Sequence, residues 1–278
     1  MIDPASTLAA PTLIVVPARY GSTRLPGKPL LNIAGRSLLE RVTAVARAAA
    51  EMAGDCQVVV ATDDARIADH ASKIGAEVAM TAAACNSGSS RACAAALDRP
   101  VRPDLVVNLQ GDAPFVPPAV VAGLIKTLRE GNAEVATPVY QLDWQRLDRL
   151  REHKRAAPFS GTTCVRAVDG QALWFSKAIL PAIRDEAELR ATTSVSPVWQ
   201  HLGLYAYRMA ALEWFAAAPP GVYERLEGLE QLRFLEAGRS IATVAVDVPT
   251  HVMSGIDTPA DVALAEATIA RLGDPFPG

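Results

Sequence analysis

The chain has 278 residues, half of them apolar, enough to bury a sizeable core as one large domain or two small ones, with one compact domain the simpler reading. A net charge of -3 and a pI near 5.9 exclude general attraction to nucleic acid, so any phosphate binding must come from a local cluster. No apolar run approaches the roughly 20 residues that cross a bilayer, and residues 1–11 lack a basic signal-peptide start, which points to a cytoplasmic protein without membrane insertion.

Residues 1–11 read as a flexible lead, 12–272 as one domain with an elaboration around 140–200, and 273–278 as a tail. Apolar runs predict strands over residues 12–18, 57–62, 77–80 and 104–110, alternating with helical patterns over 37–53, 64–73, 89–97 and 118–129. This βαβ alternation predicts an α/β fold with a largely parallel sheet whose ligands collect at the carboxyl ends of the strands. The second half is less regular, with strands expected over 134–139, 162–168, 172–176, 203–208 and 241–247. Helices are expected over 224–237 and 259–272, the last opened by a capping box at Thr258 and Asp261. The basic stretch 146–155 is interrupted by Asp148 and Glu152 and carries leucines at helical spacing, as a solvated helix face would. Cys56, Cys85, Cys93 and Cys164 form no CxxC pair and read as reduced, buried small hydrophobes.

The motif PARYGSTRLPGKPL, residues 17–30, ends the first apolar run and carries Arg19, Arg24 and Lys28 within ten residues. Glycine lets the backbone approach an anion closely while the cations supply charge, as a polyphosphate grip requires. Asp112 closes another strand in the sequence NLQGDAP, and Asp257 precedes the last helix. Each suits a Mg²⁺ ligand, and each equally suits a turn or cap. Ser87, Gly88 and Arg91 sit at the start of an alanine-rich helix, where an anion or an ordinary serine cap would be at home. Alternation in HLGLYAYR places His201, Gly203, Tyr205 and Tyr207 on one strand face. Helical spacing groups Glu224, Glu227 and Gln231 on one stripe and Leu226, Leu229 and Leu232 on a buried one.

Together PARYGSTRLPGKPL, ATDD, NSGSSR, NLQGDAP, LWFSKAILP, HLGLYAYR, LEGLEQLR and GIDTPADV resemble, in order and over about residues 12–270, the 3-deoxy-manno-octulosonate (Kdo) cytidylyltransferases. The resemblance implies a Rossmann-like nucleotidyltransferase fold, with a mixed, mostly parallel sheet, helices on both faces and a dimerisation elaboration. It further implies a Mg²⁺-dependent homodimer that transfers CMP from CTP to the anomeric hydroxyl of Kdo or a related 2-keto-3-deoxy sugar acid, releasing pyrophosphate, for lipopolysaccharide or capsule synthesis; the alternatives are another acceptor, a sialic-type acid or a sugar 1-phosphate, and a non-catalytic nucleotide-binding relative. Ala18, Arg19, Ser22, Arg24, Lys28, Ser87 and Gly88 would then bind the nucleotide. Asp112 and Asp257 would hold the metal and, with Arg19 and Lys28, carry catalysis. Arg91, Gln110, His201, Tyr205, Glu227 and Gln231 would line the sugar side. The family's SGTER reads Ser87-Gly88-Ser89-Ser90-Arg91 here, QGDEP has Ala113 in place of glutamate, and residues 158–163 lack the asparagines and lysine of NPNxVK.

Overall fold

In the computed structural model, which describes residues 11–21, 25–247 and 255–275, the first strand, β1 (Thr12–Pro17), is apolar on both sides. Ile14 and Val16 face one core and Leu13 and Val15 another, so each side of the strand needs its own cover of helices. After a 3₁₀ turn at Lys28–Leu30 and a small hairpin of β2 (Asn32–Ile33) and β3 (Arg36–Ser37) come α1 (Leu38–Ala53), β4 (Cys56–Thr62), α2 (Ala65–Lys73), β5 (Glu77–Met80), α3 (Gly88–Leu97), β6 (Leu105–Asn108) and α4 (Pro118–Glu130). The strands β5, β4, β1 and β6 lie side by side in that order, all parallel. This is the half that the βαβ alternation predicts.

The remaining elements are β7 (Val135–Asp143), α5 (Trp144–Ala156), β8 (Thr162–Arg166), β9 (Ala172–Ser176), α6 (Glu186–Thr192), β10 (Val195–His201), β11 (Tyr205–Arg208), α7 (Met209–Ala217), α8 (Val222–Glu227), α9 (Leu232–Glu236), β12 (Ile241–Ala245) and α10 (Pro259–Leu272). The sheet continues from β6 through β11, β7, β10, β8 and β9 in antiparallel pairs, and β12 joins β7 in parallel. The result is one mixed ten-stranded sheet. Helices α1, α4 and α10 cover one face through Val42, Val45, Leu124, Ile125, Ala265 and Ile269. On the other face, α3, α7 and α9 contribute Ala92, Ala96, Leu212, Phe215, Leu232 and Phe234. Within residues 140–200, α5 packs Trp144, Leu147 and Leu150 on Leu142 and Val198 as a separate small core. Its basic side is solvated or paired: Arg151 meets Glu186, and Arg190 of α6 meets Asp148.

Several sequence expectations need correction. The helix expected over 224–237 is two helices, because Gly228 adopts φ +64°, a left-handed conformation that ends α8. The break turns Leu226 outward, 72% exposed, while Leu229 and Leu232 stay buried. It also buries Glu224, which pairs with Arg233 instead of lying on one stripe with Glu227 and Gln231. His201 and Tyr205 do not share a strand: β10 ends at His201 and β11 starts at Tyr205. Cys93 and Cys164 are buried, but Cys56 and Cys85 are only half-buried; all four are free thiols. Helices α6 and α7 and the strand β10 had no clear periodic signal. Among the described residues no helix is long and apolar enough to cross a membrane.

Candidate active site

A cleft of about 320 Å³ opens at the carboxyl ends of β1 and β6, lined by residues 17–19, Lys28, residues 85–88, Arg91, residues 110–112 and Asp257. Its floor is set by backbone pairing. The amide of Ala18 donates to the Ala61 carbonyl at 2.9 Å, and that of Leu109 donates to Val15 at 3.0 Å. Gly111 then passes so close to β1 that a Cβ there would lie 2.4 Å from the Pro17 carbonyl oxygen. Only glycine permits this crossing, which delivers Asp112 to the cleft.

Asp257 reaches the same point from the far end of the chain. The Ile256 amide donates to the Asp112 carbonyl at 2.9 Å, stitching the segment before α10 to the loop after β6. The capping box of α10, with Thr258 and Asp261 bonding each other's backbone, holds the turn. Lys28 Nζ donates to Asp112 Oδ2 at 2.7 Å and to Asp257 Oδ1 at 3.0 Å, so two carboxylates 145 positions apart share one cation. Two adjacent carboxylates supply hard oxygen donors of the kind that Mg²⁺ takes beside water and phosphate. Among the described residues no group of three or more His, Cys, Asp or Glu side chains could form a closed protein cage.

Arg19 is exposed on the rim of this cleft. Its neighbour Tyr20 supports the loop: the Tyr20 ring packs on Gly27, and the Arg66 guanidinium lies 3.3 Å from the ring centroid. Arg66 is itself paired with Asp64. Ser22 and Arg24 lie outside the described residues. Ser87 caps α3, its hydroxyl accepting from the Ser90 amide while Ser90 Oγ accepts from the Ser87 amide. Gly88 leaves space for the Gln110 amide, whose atoms would come within 3.1–3.2 Å of a Cβ at that position.

Arg91 lines this cleft, not the cluster around His201. Its guanidinium is 3% exposed, donates to Thr81 Oγ1 at 2.5 Å and faces Asp63 at 3.4 Å. It braces the loop that forms one wall.

Beyond Gln110 a second cluster follows along the sheet. Asn108 pairs with Tyr205 in register, and its Nδ2 donates to Ser89 Oγ, which donates to Glu230. Tyr205 donates its hydroxyl proton to Gln231 Oε1 at 2.9 Å, and its ring centroid lies 5.5 Å from that of His201. The Thr137 hydroxyl gives its proton to the Leu204 carbonyl, so His201 Nε2 must be the donor in its 2.8 Å bond to Thr137. Burial, assisted by the nearby Lys177 ammonium, pulls the His201 pKa down to about 3. The neutral ring therefore presents Nδ1 as an acceptor.

Glu227 closes the cluster, accepting from Ser176 Oγ at 2.8 Å and from the Lys177 amide at 2.7 Å. Burial lowers the pKa of Lys177, with Glu227 partly opposing. Neither Lys177, in the segment LWFSKAILP, nor Asn108 has a role that the sequence alone assigns. The positive charge of Lys177 beside a strand end was the available signal; its partners, 15 to 50 positions away, were not visible.

A family profile described as cytidylyltransferase matches residues 13–241. A 3-deoxy-manno-octulosonate cytidylyltransferase of Maricaulis maris is 42% identical over 94% of this chain and 98% of its own length. That of Xanthomonas euvesicatoria is 43% identical over 95% and 98%. The solved structure of a CMP:2-keto-3-deoxy-manno-octonic acid synthetase complexed with CTP superposes with a TM-score of 0.79 at 34% identity, covering 94% of this chain and 99% of that one. A 4-diphosphocytidyl-2C-methyl-D-erythritol synthase from Anaerococcus prevotii, at 14% identity and a TM-score of 0.57, shares the fold. The cleft and the second cluster thus stand on the scaffold of these enzymes, and the chain belongs to the 3-deoxy-manno-octulosonate cytidylyltransferase family.

Proposed function

We propose that the protein transfers CMP from CTP to the anomeric hydroxyl of Kdo, releasing pyrophosphate. The observation that carries this reading is the meeting of Lys28, Asp112 and Asp257 in a cleft whose Gly88 wall abuts the side chains of Gln110 and Asn108, beside a polar cluster suited to a hydroxylated acid. The acceptor oxygen bonds to the α-phosphorus, the bond from that phosphorus to the bridging oxygen of the β-phosphate breaks, pyrophosphate leaves with the electron pair, and the hydroxyl proton passes to solvent. No covalent enzyme intermediate is required, so the chain's task is positioning and charge.

Arg19 and Lys28 face the triphosphate, and each charge-assisted bond contributes on the order of 1.5–3 kcal/mol. Asp112 and Asp257 would hold Mg²⁺, which when bound neutralises phosphate charge as pyrophosphate leaves. Ser87, Gly88 and the braced loop at Arg91 shape the nucleotide side. Gln110, Tyr205, Gln231 and neutral His201 offer amides, a hydroxyl and an acceptor nitrogen to the sugar hydroxyls. Lys177, whose partly desolvated ammonium donates to the neutral Thr162 hydroxyl, suits the acid's carboxylate.

The product serves lipopolysaccharide or capsule synthesis on this reading, in the cytoplasm where CTP is made. The protein acts as a homodimer, which the exposed apolar side chains Leu173, Val222, Tyr223 and Leu226 support. The test is pyrophosphate release with CTP, Mg²⁺ and a panel of sugar acids. Turnover with Kdo is expected; folded protein that binds CTP but turns over no acid overturns the reading.

A further inference from the structure

Lys154, in the last turn of α5, points its ammonium into a knot of main-chain oxygens. It donates to the carbonyls of Pro158 at 3.2 Å, Ser160, Gly161 at 3.2 Å and Lys177 at 2.6 Å. Three of these belong to the loop that leads into β8, and the fourth to Lys177, the residue after β9. No carboxylate is among these acceptors. A solvated helix-face lysine would not be arranged this way: burial, with Lys177 nearby, lowers the pKa of Lys154, a cost the carbonyl dipoles must offset.

The knot fixes Lys177 from behind. Its carbonyl is held by Lys154, its amide by Glu227 at 2.7 Å, and its ammonium rests on Thr162 Oγ1 at 3.2 Å, the first residue after the loop. Gly161 permits the turn, with φ +64° and a missing Cβ that would press on Leu150 at 3.1 Å. The chain thus departs from NPNxVK in a loop that it ties down with a lysine supplied by α5.

We propose that Lys154 is a positioning residue for the acceptor: it holds the 158–161 loop and the Lys177 main chain so that the Lys177 ammonium meets the acid's carboxylate. This rests on the reading of the second cluster as the acceptor site. The carbonyls converge from a loop and a strand end, a task that suits a compact ammonium and not a planar guanidinium.

The test is steady-state kinetics of Lys154→Met, Lys154→Gln and Lys154→Arg, with CTP binding by calorimetry as the check on folding. Lys154→Met is expected to raise the acceptor KM by about tenfold or more, as loss of a supporting contact behind a binding group does, with CTP affinity within about twofold of the parent. Lys154→Gln, with two N–H donors, falls between, and Lys154→Arg does not restore the parent value. In a Lys177→Met background, Lys154→Met adds no further increase, because the residue it serves is gone. An unchanged acceptor KM in Lys154→Met, full recovery in Lys154→Arg, equal losses for CTP and acceptor, or additive effects in the double variant each overturn the proposal. If Lys177→Met alone leaves the acceptor KM unchanged, the acceptor-site reading itself fails and takes the proposal with it.

Discussion

Lys28 does more than add charge to a loop. Between Asp112 and Asp257 it keeps two carboxylates from repelling each other across a partly exposed cleft. Replacing either carboxylate should leave the fold intact and remove the proposed metal site. Asp112→Ala is expected to abolish Mg²⁺-dependent turnover, a loss of at least about 10³-fold, with the thermal transition nearly unchanged. Full activity in that variant would remove Asp112 from the site. Gly111 makes the opposite case, a residue with no chemistry whose size decides where chemistry sits. Gly111→Ala puts a methyl group against the Pro17 carbonyl, and backbone on both sides would have to shift. It should cost about 1–3 kcal/mol in urea unfolding and also lower kcat by displacing Asp112. A variant as stable and as active as the parent would show that the two loops are not packed as described.

At the scale of elements, α10 is a support for Asp257. The helix ends near Asp274, and the Asp274 carboxylate receives Arg41 Nη1 at 2.9 and 3.1 Å. Arg41, 1% exposed, also donates to the carbonyls of Ile33 and Ala34, so one guanidinium joins α1, the β2–β3 hairpin and the chain's last described turn. Arg41→Met strands those acceptors and should destabilise the protein by about 3 kcal/mol. The Mg²⁺ concentration needed for half-maximal turnover should rise as α10 loosens, while CTP affinity measured without metal stays put. Unchanged stability and metal requirement would mean that α10 is held by its apolar face alone. The α8–α9 pair shows the limit of periodicity: Glu227 and Gln231 reach the cluster from two short helices, and Gly228 alone sets the turn between them.

Across the whole molecule, burial of His201 links the cluster to folding. Its pKa is depressed in the folded protein, to about 3 from 6.5, so below pH 6.5 the unfolded chain binds a proton that the folded one refuses. Stability from this group is complete above pH 6.5 and falls by about 1.4 kcal/mol per pH unit as pH drops toward 3. His201→Asn should be less stable than the parent at pH 7 and should show a shallower loss between pH 6 and pH 4. Parallel pH profiles would place the imidazole in water. The exposed apolar patch around α8 carries the dimer prediction. Leu226→Glu should shift light-scattering mass from two chains to one, and a parent already monomeric at micromolar concentration would dismiss the dimer.

The main strands and helices of residues 12–130 were legible because most buried runs there are apolar and periodic, whereas the two-residue strands β2 and β3 are too short to carry a period. Glu77–Met80 and Pro259–Leu272 fall where the pattern put them. The cations of the first loop were legible as candidates for an anion, since charge beside glycine at the end of an apolar run has few structural uses, whereas the two aspartates suited a cap as well as a metal. Elsewhere local pattern was insufficient. The β10 strand carries Ser196, Gln200 and His201 inside a sheet, and α6 buries none of its side chains. The sequence by itself determined the α/β class, the family resemblance and the chemistry that the first loop could offer. Only the tertiary structure decided that Asp112 and Asp257 meet on Lys28, that Arg91 braces a wall, and that Lys177 is pinned between Glu227 and Lys154. The reason is physical: periodicity and propensity act over a few residues, whereas these contacts join side chains and backbone groups from segments remote in sequence, and packing alone brings them together.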